Sequence, residues 1–387
     1  MTLRFSGKLR VPSGKVTAIP SGGGGGGGAP ASGDSLFAWG YNTAGLPLLG
    51  DGTAVSKSSP VQIGALTDWA SVSVGALHTL AVKSDGTLWS WGDGDYGKLG
   101  DGTTSDRNSP VQIGALTDWA SVATGNDHSH AIKTDGTLLA WGFEYNGRLG
   151  NGVSSISSVS SPVQIGALTD WASINAGSNH TLAVKTDGTL WAWGRGLNGR
   201  LGLGDTSDRN SPTQVGGLTD WASVSTCVGH SLSVKTDGTL WAWGRGTNGA
   251  LGDNTTTAKS SPIQIGALTN WSQVSCGNNH TLAVKTDGTL FAWGLNSSGQ
   301  LGLGNSTTYS SPVQVGGLTD WSAVDCGNSH NVAIKTGGTL FAWGNNGNGR
   351  LGDGTTTNRN SPVQIGSETD WTVASAGDNH SHGLRDG

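Results

Sequence analysis

The sequence is poor in the side chains from which most active sites are built. Only 13% of its 387 residues are charged, and Glu144 and Glu368 are its only two glutamates. It contains no Gly-x-Ser-x-Gly nucleophile turn, no phosphate-binding loop and no His-Glu-x-x-His metal-binding helix. The sequence therefore predicts a protein that is not an enzyme, with no catalytic residues and no cofactor.

Long apolar runs and basic clusters are also missing. No segment approaches the ~18 consecutive apolar residues of a membrane-spanning helix, so we expect no membrane insertion. The N-terminus lacks the apolar stretch of a secretory signal peptide. The net charge of −5 gives no electrostatic attraction for nucleic acid, and we expect no nucleic-acid partner.

The potential metal ligands lack the spacing of a metal site. The three cysteines, Cys227, Cys276 and Cys326, are odd in number and lie in separate repeats. This distribution favours buried apolar side chains over a disulfide framework. The Asp- and Thr-rich loops at 99–109 and 351–361 lack the spacing of a calcium-binding loop. The sequence predicts no metal site.

Glycine and tryptophan are abundant, at 66 and 17 residues, and they belong to one repeat. Three landmarks recur seven times at intervals of 50 or 52 residues: a Trp-Gly pair, a Thr-Asp-Trp or Thr-Asn-Trp triplet, and a histidine. The Trp-Gly tryptophans are Trp39, Trp91, Trp141, Trp193, Trp243, Trp293 and Trp343. The histidines are His78, His128, His180, His230, His280, His330 and His380.

Each repeat carries the pattern of four short β-strands. After His230, residues 231–235 alternate between polar and apolar side chains, as expected for a half-buried strand. The Asp237-Gly238 pair provides a tight hairpin turn, and residues 239–243 form the returning strand. A short apolar segment on each side of this hairpin completes the unit. Four-stranded units at this period are typical of propeller blades, which bury one another's faces.

The two ends of the chain predict how the ring of blades closes. Residues 384–387 end in the middle of the hairpin, and residues 35–40 supply the missing return strand. We therefore expect the N- and C-terminal strands to pair within one blade. The predicted fold is all-β: a seven-bladed β-propeller of four-stranded blades over 35–387, preceded by an extended N-terminal arm over 1–34.

The repeat also resembles a known family. Its motifs are Leu-Trp-Ala-Trp-Gly, Asn-Gly-x-Leu-Gly, Ser-Pro-Val-Gln and Val-x-x-Gly-x-x-His-x-Leu-Ala-Val, and they cover nearly all of the chain after residue 35. This pattern is similar to the regulator of chromosome condensation repeat family, in the form found in bacterial and bacteriophage surface proteins. The resemblance implies a seven-bladed propeller, in agreement with the number of repeats.

The N-terminal arm has the pattern of an anchor on a tether. Seven consecutive glycines, 22–28, follow a segment of alternating polar and apolar residues. Such a segment can add as a strand to the sheet edge of a partner. The residues predicted to anchor the protein in a larger assembly are Leu3, Arg4, Phe5, Leu9 and Val11.

The loops that differ between repeats are the predicted binding surface, because loops on one face of a propeller are free to vary. One repeat has an insertion at Leu46 and Pro47. Another has a longer run that contains Val153, Ile156 and Val159. These five residues are the candidate binding-loop residues.

Three tryptophans occur in only some repeats and are candidate surface aromatics: Trp89, Trp191 and Trp241. They could stack on a glycan, although the Leu or Phe at this position in other repeats favours apolar packing. The Trp-Gly tryptophans are predicted to pack between blades.

The repeated histidines are spread by symmetry over seven blades, so they cannot converge on one metal ion. We expect each to be hydrogen-bonded inside its blade. His130 and His382 create two His-x-His pairs, a weak zinc or nickel signal that we interpret as incidental.

The functional prediction joins the arm, the near-identical repeats and the absence of an export signal. We expect a structural and binding protein of a virion, such as a phage tail, fibre or decoration component. It would be assembled in the cytoplasm, attached to other structural proteins through 1–34, and able to bind a cell-surface receptor or glycan. The alternative is a cytoplasmic interaction scaffold or a regulator that resembles guanine-nucleotide exchange factors.

A third possibility is an inhibitor of a secreted enzyme, but such a protein is expected to carry a signal peptide. A photoreceptor role of the kind found in one plant member of the family is rejected. It requires Gly-Trp-Arg-His-Thr, where this chain has Gly277-Asn-Asn-His280-Thr281.

Overall fold

The computed structural model of the protein describes residues 34–386. The predicted anchor residues, Leu3, Arg4, Phe5, Leu9 and Val11, lie outside the described residues. The described residues form 28 strands and four one-turn 3-10 helices. The 3-10 helices are Asp95–Gly97, Tyr145–Gly147, Leu197–Gly199 and Thr247–Gly249. No helix in this part of the chain is long and apolar enough to cross a lipid bilayer.

The strands are arranged as seven four-stranded units within residues 34–386, and units 1 to 7 are numbered here from β3. The first strands of units 1 to 7 are β3 Trp69–Val74, β7 Trp119–Thr124, β11 Trp171–Ala176, β15 Trp221–Thr226, β19 Trp271–Cys276, β23 Trp321–Cys326 and β27 Trp371–Ala376. The second strands are β4 His78–Lys83, β8 His128–Lys133, β12 His180–Lys185, β16 His230–Lys235, β20 His280–Lys285, β24 His330–Lys335 and β28 His380–Asp386.

The outer two strands of each unit complete its sheet. The third strands are β5 Leu88–Gly92, β9 Leu138–Phe143, β13 Leu190–Gly194, β17 Leu240–Gly244, β21 Leu290–Gly294, β25 Leu340–Gly344 and β1 Asp34–Gly40. The fourth strands are β6 Arg107–Gln112, β10 Ser158–Gln164, β14 Arg209–Gln214, β18 Lys259–Gln264, β22 Tyr309–Gln314, β26 Arg359–Gln364 and β2 Lys57–Gln62. The prediction of an all-β chain of repeated four-stranded blades is confirmed.

Unit 7 is assembled from both ends of the described chain. Strand β1 pairs antiparallel with β28, from Asp34 opposite Asp386 to Gly40 opposite His380. Strand β2 then pairs with the other edge of β1. A single bridge between Asp34 and Trp69 joins this unit to unit 1, so the two form one eight-stranded sheet.

The core lies between neighbouring units. One cluster joins Leu80 and Ile113 of unit 1 to Trp119 and Trp141 of unit 2, and equivalent clusters lie at other joints. Each Trp-Gly tryptophan is fully buried. Gly100, with φ +81°, lies flat against the Trp141 indole, where a β-carbon would come within 2.7 Å of the ring nitrogen. The prediction that these tryptophans pack between blades agrees with the structure.

Antiparallel pairing gives the units two different faces. The first and third strands of a unit run in the same direction, so the turns that follow them emerge on one face, called the loop face here. The Asp-Gly hairpins and the connections between units emerge on the opposite face, called the hairpin face. The chain therefore presents its variable loops on one side and its constant turns on the other.

Candidate functional site

Six of the seven repeated histidines are hydrogen-bonded to the neighbouring unit, and His380 has no hydrogen-bond partner within residues 34–386. All seven are fully buried, and the Nε2 of His78 lies 2.8 Å from the Ser129 hydroxyl of the next unit. The Nε2 of His280 lies 2.8 Å from the side-chain oxygen of Asn331 in the same way. These bonds run between units and not inside one blade, because the second strand of each unit packs against the next unit. Their role is structural, as predicted, but their partners are in the neighbouring repeat.

The joint between two units also includes the Trp-Gly tryptophan. The Ser129 hydroxyl donates to the Lys98 carbonyl at 2.8 Å, and the Trp141 Nε1 donates to the same carbonyl at 2.9 Å. One backbone carbonyl of unit 1 therefore holds two side chains of unit 2, which fixes the position of one unit on the other.

His130 and His382 pack towards the next unit as well. The His130 ring lies 5.6 Å from the Trp193 ring, and the His382 ring lies 5.4 Å from the Trp91 ring. Burial lowers the pKa of each of these histidines to about 3. Both occupy a strand position where most repeats have leucine, so they are interior residues of the sheet.

The three candidate surface tryptophans lie at the edges of the inter-unit cores and are half-buried. Trp89 contacts Trp69 edge to face at 5.9 Å, and its Nε1 donates to the Thr87 hydroxyl at 2.9 Å. The Lys83 ammonium lies 4.3 Å from the centre of the Trp89 ring. Trp191 and Trp241 have the same surroundings. A lysine therefore covers the ring face on which a glycan would stack.

The candidate loop residues have different environments. Pro47 is buried and lines a surface groove of about 420 Å³, beside the half-buried Leu46. Val159 is half-buried in β10 and packs against the cores on both sides of unit 2. Val153 and Ile156, by contrast, are exposed by 42% and 85%. Of the five predicted loop residues, these two present apolar surface to a partner.

An aromatic stack lies beside that loop on the loop face. The Tyr96 ring of unit 1 stacks on the Phe143 ring of unit 2 at 4.3 Å, and Phe143 lies 5.9 Å from Tyr145. Tyr96 and Tyr145 are exposed by 45% and 47%. The sequence alone did not predict this stack, because its members belong to different repeats. The aromatic residues between the Trp-Gly pair and the next Leu-Gly pair were the available signal.

Glu144 ties the exposed loop to the aromatic stack. It lies between Phe143 and Tyr145, and its two carboxylate oxygens accept hydrogen bonds from the Asn151 amide at 2.9 Å and the Ser155 hydroxyl at 2.6 Å. The Glu144 amide donates to the Ser157 carbonyl at 3.0 Å. The loop is therefore held in one position beside the stack. Tyr96, Phe143, Tyr145, Val153 and Ile156 are called the loop-face patch below.

The first strands of the units surround an axial channel that opens on the same face. The channel encloses a cavity of about 80 Å³ and is lined by all seven units. Arg200 and Arg245 donate to the carbonyls of the channel residues Val228 and Asn278, at 2.7 Å and 2.8 Å. Burial, assisted by repulsion from Arg195 and Arg245, lowers the pKa of Arg200 to about 10.

One group of side chains in residues 34–386 has the composition of a metal site: Cys227, His230 and Cys276, all buried at the channel. The three cysteines are buried and unpaired, as predicted. The structure also brings two of them together with a histidine, which the sequence did not indicate.

Three family models match the chain. The model described as the RCC1-like domain matches residues 160–387. The regulator of chromosome condensation (RCC1) repeat model matches residues 34–82, 85–132 and 135–184, and a second model with the same description matches residues 69–98. Together these matches cover the described residues except 133–134.

Two relatives show the range of proteins in which similar repeats occur. The chain is 38% identical over 202 residues to the ultraviolet-B receptor UVR8 of Arabidopsis thaliana, covering 51% of this chain and 33% of the receptor. It is 37% identical over 99 residues to the human E3 ubiquitin-protein ligase HERC2, covering 24% of this chain and 2% of the ligase. The chain thus spans about a third of the receptor and a small part of the ligase.

Solved structures agree on the fold. Human WBSCR16 superposes with a TM-score of 0.83 at 23% identity, covering 91% of this chain and 99% of that chain. Prp20p of Saccharomyces cerevisiae superposes with a TM-score of 0.81 at 19% identity, covering 99% of this chain and 96% of that chain. At these identities the likeness concerns the fold alone.

Proposed function

Because this chain belongs to the RCC1 family, we propose that it is a non-enzymatic protein-binding module, an interaction scaffold that holds a partner on its loop face. Fold alone does not fix function, so the proposal depends on the loop-face patch. That patch departs from the repeat symmetry on this face and exposes both aromatic and aliphatic side chains. Exposed aromatic residues beside apolar loops are typical of protein-binding sites.

We infer that the seven units close into a ring and act as a rigid support for the loops. The support for closure is the seven-residue pairing of β1 with β28 and the packing of β27 and β28 against β3. A rigid ring fixes the patch before a partner arrives, which reduces the entropy lost on binding.

The named relatives favour the cellular alternative over the virion prediction. They come from a plant and from human, and no observation on this chain supports a tail, fibre or decoration role. The same relatives favour a cytoplasmic protein over a virion component. The hypothesis of an exchange factor depends on the family alone, since no residue within 34–386 indicates a nucleotide-exchange mechanism.

The division of the chain into an arm, 1–34, and a propeller, 35–387, remains part of the proposal.

The test is recovery of partners from the native source by crosslinking and mass spectrometry, with three forms of the full chain. The patch variant carries Tyr145→Ser and Ile156→Ser. The matched control carries Leu66→Ser and Leu116→Ser on the hairpin face, where these leucines are exposed by 45% and 46%. We expect the proteins crosslinked to the wild type to be lost with the patch variant and kept with the control.

Two outcomes would contradict the proposal. Equal recovery of the same partners with both variants would show that the loop-face patch does not bind them. Recovery of the wild type in a large particle with other structural proteins would support the hypothesis of a virion protein.

A further inference from the structure

Unit 4 departs from the repeat at one position inside the channel. Three residues before each repeated histidine the chain has glycine in six units, and in unit 4 it has Cys227. The six glycines are Gly75, Gly125, Gly177, Gly277, Gly327 and Gly377. At Gly125, a β-carbon would lie 2.2 Å from the His128 ring, so a side chain at this position is forced against the histidine. Cys227 therefore places a sulfur directly beside His230.

A second thiol, that of Cys276, lies near Cys227 and His230. The Cys227 sulfur lies 3.1 Å from Nδ1 of His230, and the Cys276 sulfur of unit 5 completes a group whose ligand atoms all lie within 4.8 Å of one another. Tetrahedral zinc places two sulfurs roughly 3.8 Å apart, and a sulfur and a nitrogen roughly 3.5 Å apart, given its usual bond lengths. The distance of 3.1 Å from the Cys227 sulfur to Nδ1 is close to the sulfur–nitrogen value, and the limit of 4.8 Å on the group exceeds the sulfur–sulfur value by about 1 Å.

The tautomer of His230 is fixed so that the lone pair of Nδ1 faces the Cys227 thiol. The Thr281 hydroxyl donates to the Ala250 carbonyl at 2.9 Å, so its oxygen accepts a hydrogen bond from Nε2 of His230 at 3.2 Å. A histidine that donates one ring N–H to a fixed acceptor and turns the lone pair of its other nitrogen towards a thiol has the arrangement of a metal ligand. In the other six units, the corresponding Nδ1 atoms have no hydrogen-bond partner within residues 34–386.

The two cysteines face the channel, from which an ion can reach them. Cys227 and Cys276 both line the axial channel, whose cavity of about 80 Å³ has room for a water molecule at a fourth position. Thiolate and imidazole ligands select thiophilic ions such as zinc.

We propose that Cys227, His230 and Cys276 bind one zinc ion at the channel wall, with the fourth coordination position open to the channel. The ion links the first strand of unit 5 to unit 4, next to the loop face. This proposal is independent of the protein-binding function, because it concerns channel residues and not the loop-face patch.

Cobalt(II) is the probe, since it occupies zinc sites and has visible absorption. The full chain, reduced and freed of metal, is titrated with Co²⁺ and then with Zn²⁺. We expect one Co²⁺ per chain, with a sulfur-to-cobalt charge-transfer band and tetrahedral d–d bands, and complete displacement by one equivalent of Zn²⁺. A wild-type chain without the charge-transfer band would overturn the proposal.

The repeats themselves supply substitutions that should fold. Cys227→Gly restores the residue of the other six units, and Cys276→Thr introduces the residue found at the equivalent Thr124 and Thr226. We expect each to weaken cobalt binding by more than about 100-fold, beyond the effect of losing an outer-shell partner. Thermal melting in the absence of metal verifies that both variants are folded.

Cys326→Thr is the matched control. Cys326 occupies the same strand position as Cys276, one unit further, and its sulfur contacts the Ser275 carbonyl at 3.4 Å outside the group of three. We expect unchanged cobalt affinity. Equal binding by Cys227→Gly and wild type, or equal weakening by all three variants, would show that these residues do not form the site.

Discussion

Single residues that break the repeat carry most of the chemistry of this protein. Asp325 is an example: four of the equivalent positions in the other units hold serine, at Ser73, Ser225, Ser275 and Ser375. Its carboxylate is fully buried and accepts hydrogen bonds from the Ser275 hydroxyl at 3.0 Å and the Ala376 amide at 2.9 Å. These bonds only partly replace water, so burial raises the pKa of Asp325 to about 6.

Asp325→Ser tests this residue. The folded-state pKa, about 6, lies above the ordinary value of 3.8, so the folded state binds the proton more tightly than the unfolded state. The contribution of Asp325 to stability therefore falls as pH rises from 3.8 to about 6, by up to roughly 3 kcal/mol. We expect the Tm of the variant relative to wild type to rise across this interval. A Tm difference that does not change with pH would contradict the raised pKa, because lost hydrogen bonds alone give a constant offset.

At the scale of structural elements, the connections between third and fourth strands differ in how they are held. The connection in unit 2, residues 144–157, is held by Glu144, whose carboxylate accepts hydrogen bonds from Asn151 and Ser155. A hydrogen bond to a charged group contributes about 1.5–3 kcal/mol to local order. The position of Ile156 therefore depends on one acidic residue.

Glu144→Ala should release this loop without unfolding the chain. We expect faster amide hydrogen exchange in residues 151–157, with a Tm within about 2 °C of wild type, because the loop lies outside the inter-unit cores. The control is Glu368→Ala at the other glutamate, on the hairpin face. Unchanged exchange in 151–157 would mean that the loop is held by other contacts.

At the scale of the whole molecule, stability depends on joining the two ends of the described chain. Strand β1 places Leu36, Ala38 and Trp39 at 0% exposure in the cores on either side of unit 7. It is also the middle strand between β28 and β2. Without β1, unit 7 loses the pairings of β1 with β28 and β2. Units 6 and 1 lose the apolar side chains that β1 packs against them.

Two truncations that differ by seven residues test this closure. Removal of 1–40 deletes β1, and we expect the Tm to fall by at least about 10 °C, since losing a buried Leu and Trp each costs several kcal/mol. Removal of 1–33 ends just before β1 and should change the Tm by less than about 2 °C. Equal melting of the two truncations would show that closure through β1 does not stabilise the chain.

The buried histidines give the whole molecule its dependence on pH. Burial lowers the pKa of eight of them below the ordinary 6.5: His78, His128, His130, His180, His280, His330, His380 and His382. Below pH 6.5 these histidines are therefore protonated in the unfolded chain but remain neutral in the folded chain. The stability that these groups contribute is complete above pH 6.5 and is lost as pH falls. Asp325 and Asp378, whose pKa values are raised by burial, act in the opposite direction, but they are two groups against eight.

We expect the Tm to drop steeply between pH 6.5 and pH 4, as measured by scanning calorimetry. The double variant His130→Leu, His382→Leu introduces the leucine found in four of the other five repeats. It should reduce the slope of the unfolding free energy against pH by about 2.7 kcal/mol per pH unit. A Tm that is flat across this range, or a double variant with the wild-type slope, would contradict the assigned role of burial.

The sequence by itself determined the repeating unit of this protein. Alternating side chains, the Asp-Gly turn and the 50-residue period are local signals, and they predicted four-stranded blades and the pairing of the chain ends in unit 7. The roles of the Trp-Gly tryptophans also followed, because a large apolar residue once per repeat has only the inter-blade space to fill.

Only the tertiary structure decided what happens between units. The stack of Tyr96 on Phe143, the bond from His78 to Ser129 and the group of Cys227, His230 and Cys276 all depend on how one unit is rotated onto the next. That rotation is set by the packing of whole sheets, and no periodic pattern in the sequence indicates it. Residues far apart in sequence therefore meet at positions that local patterns cannot specify.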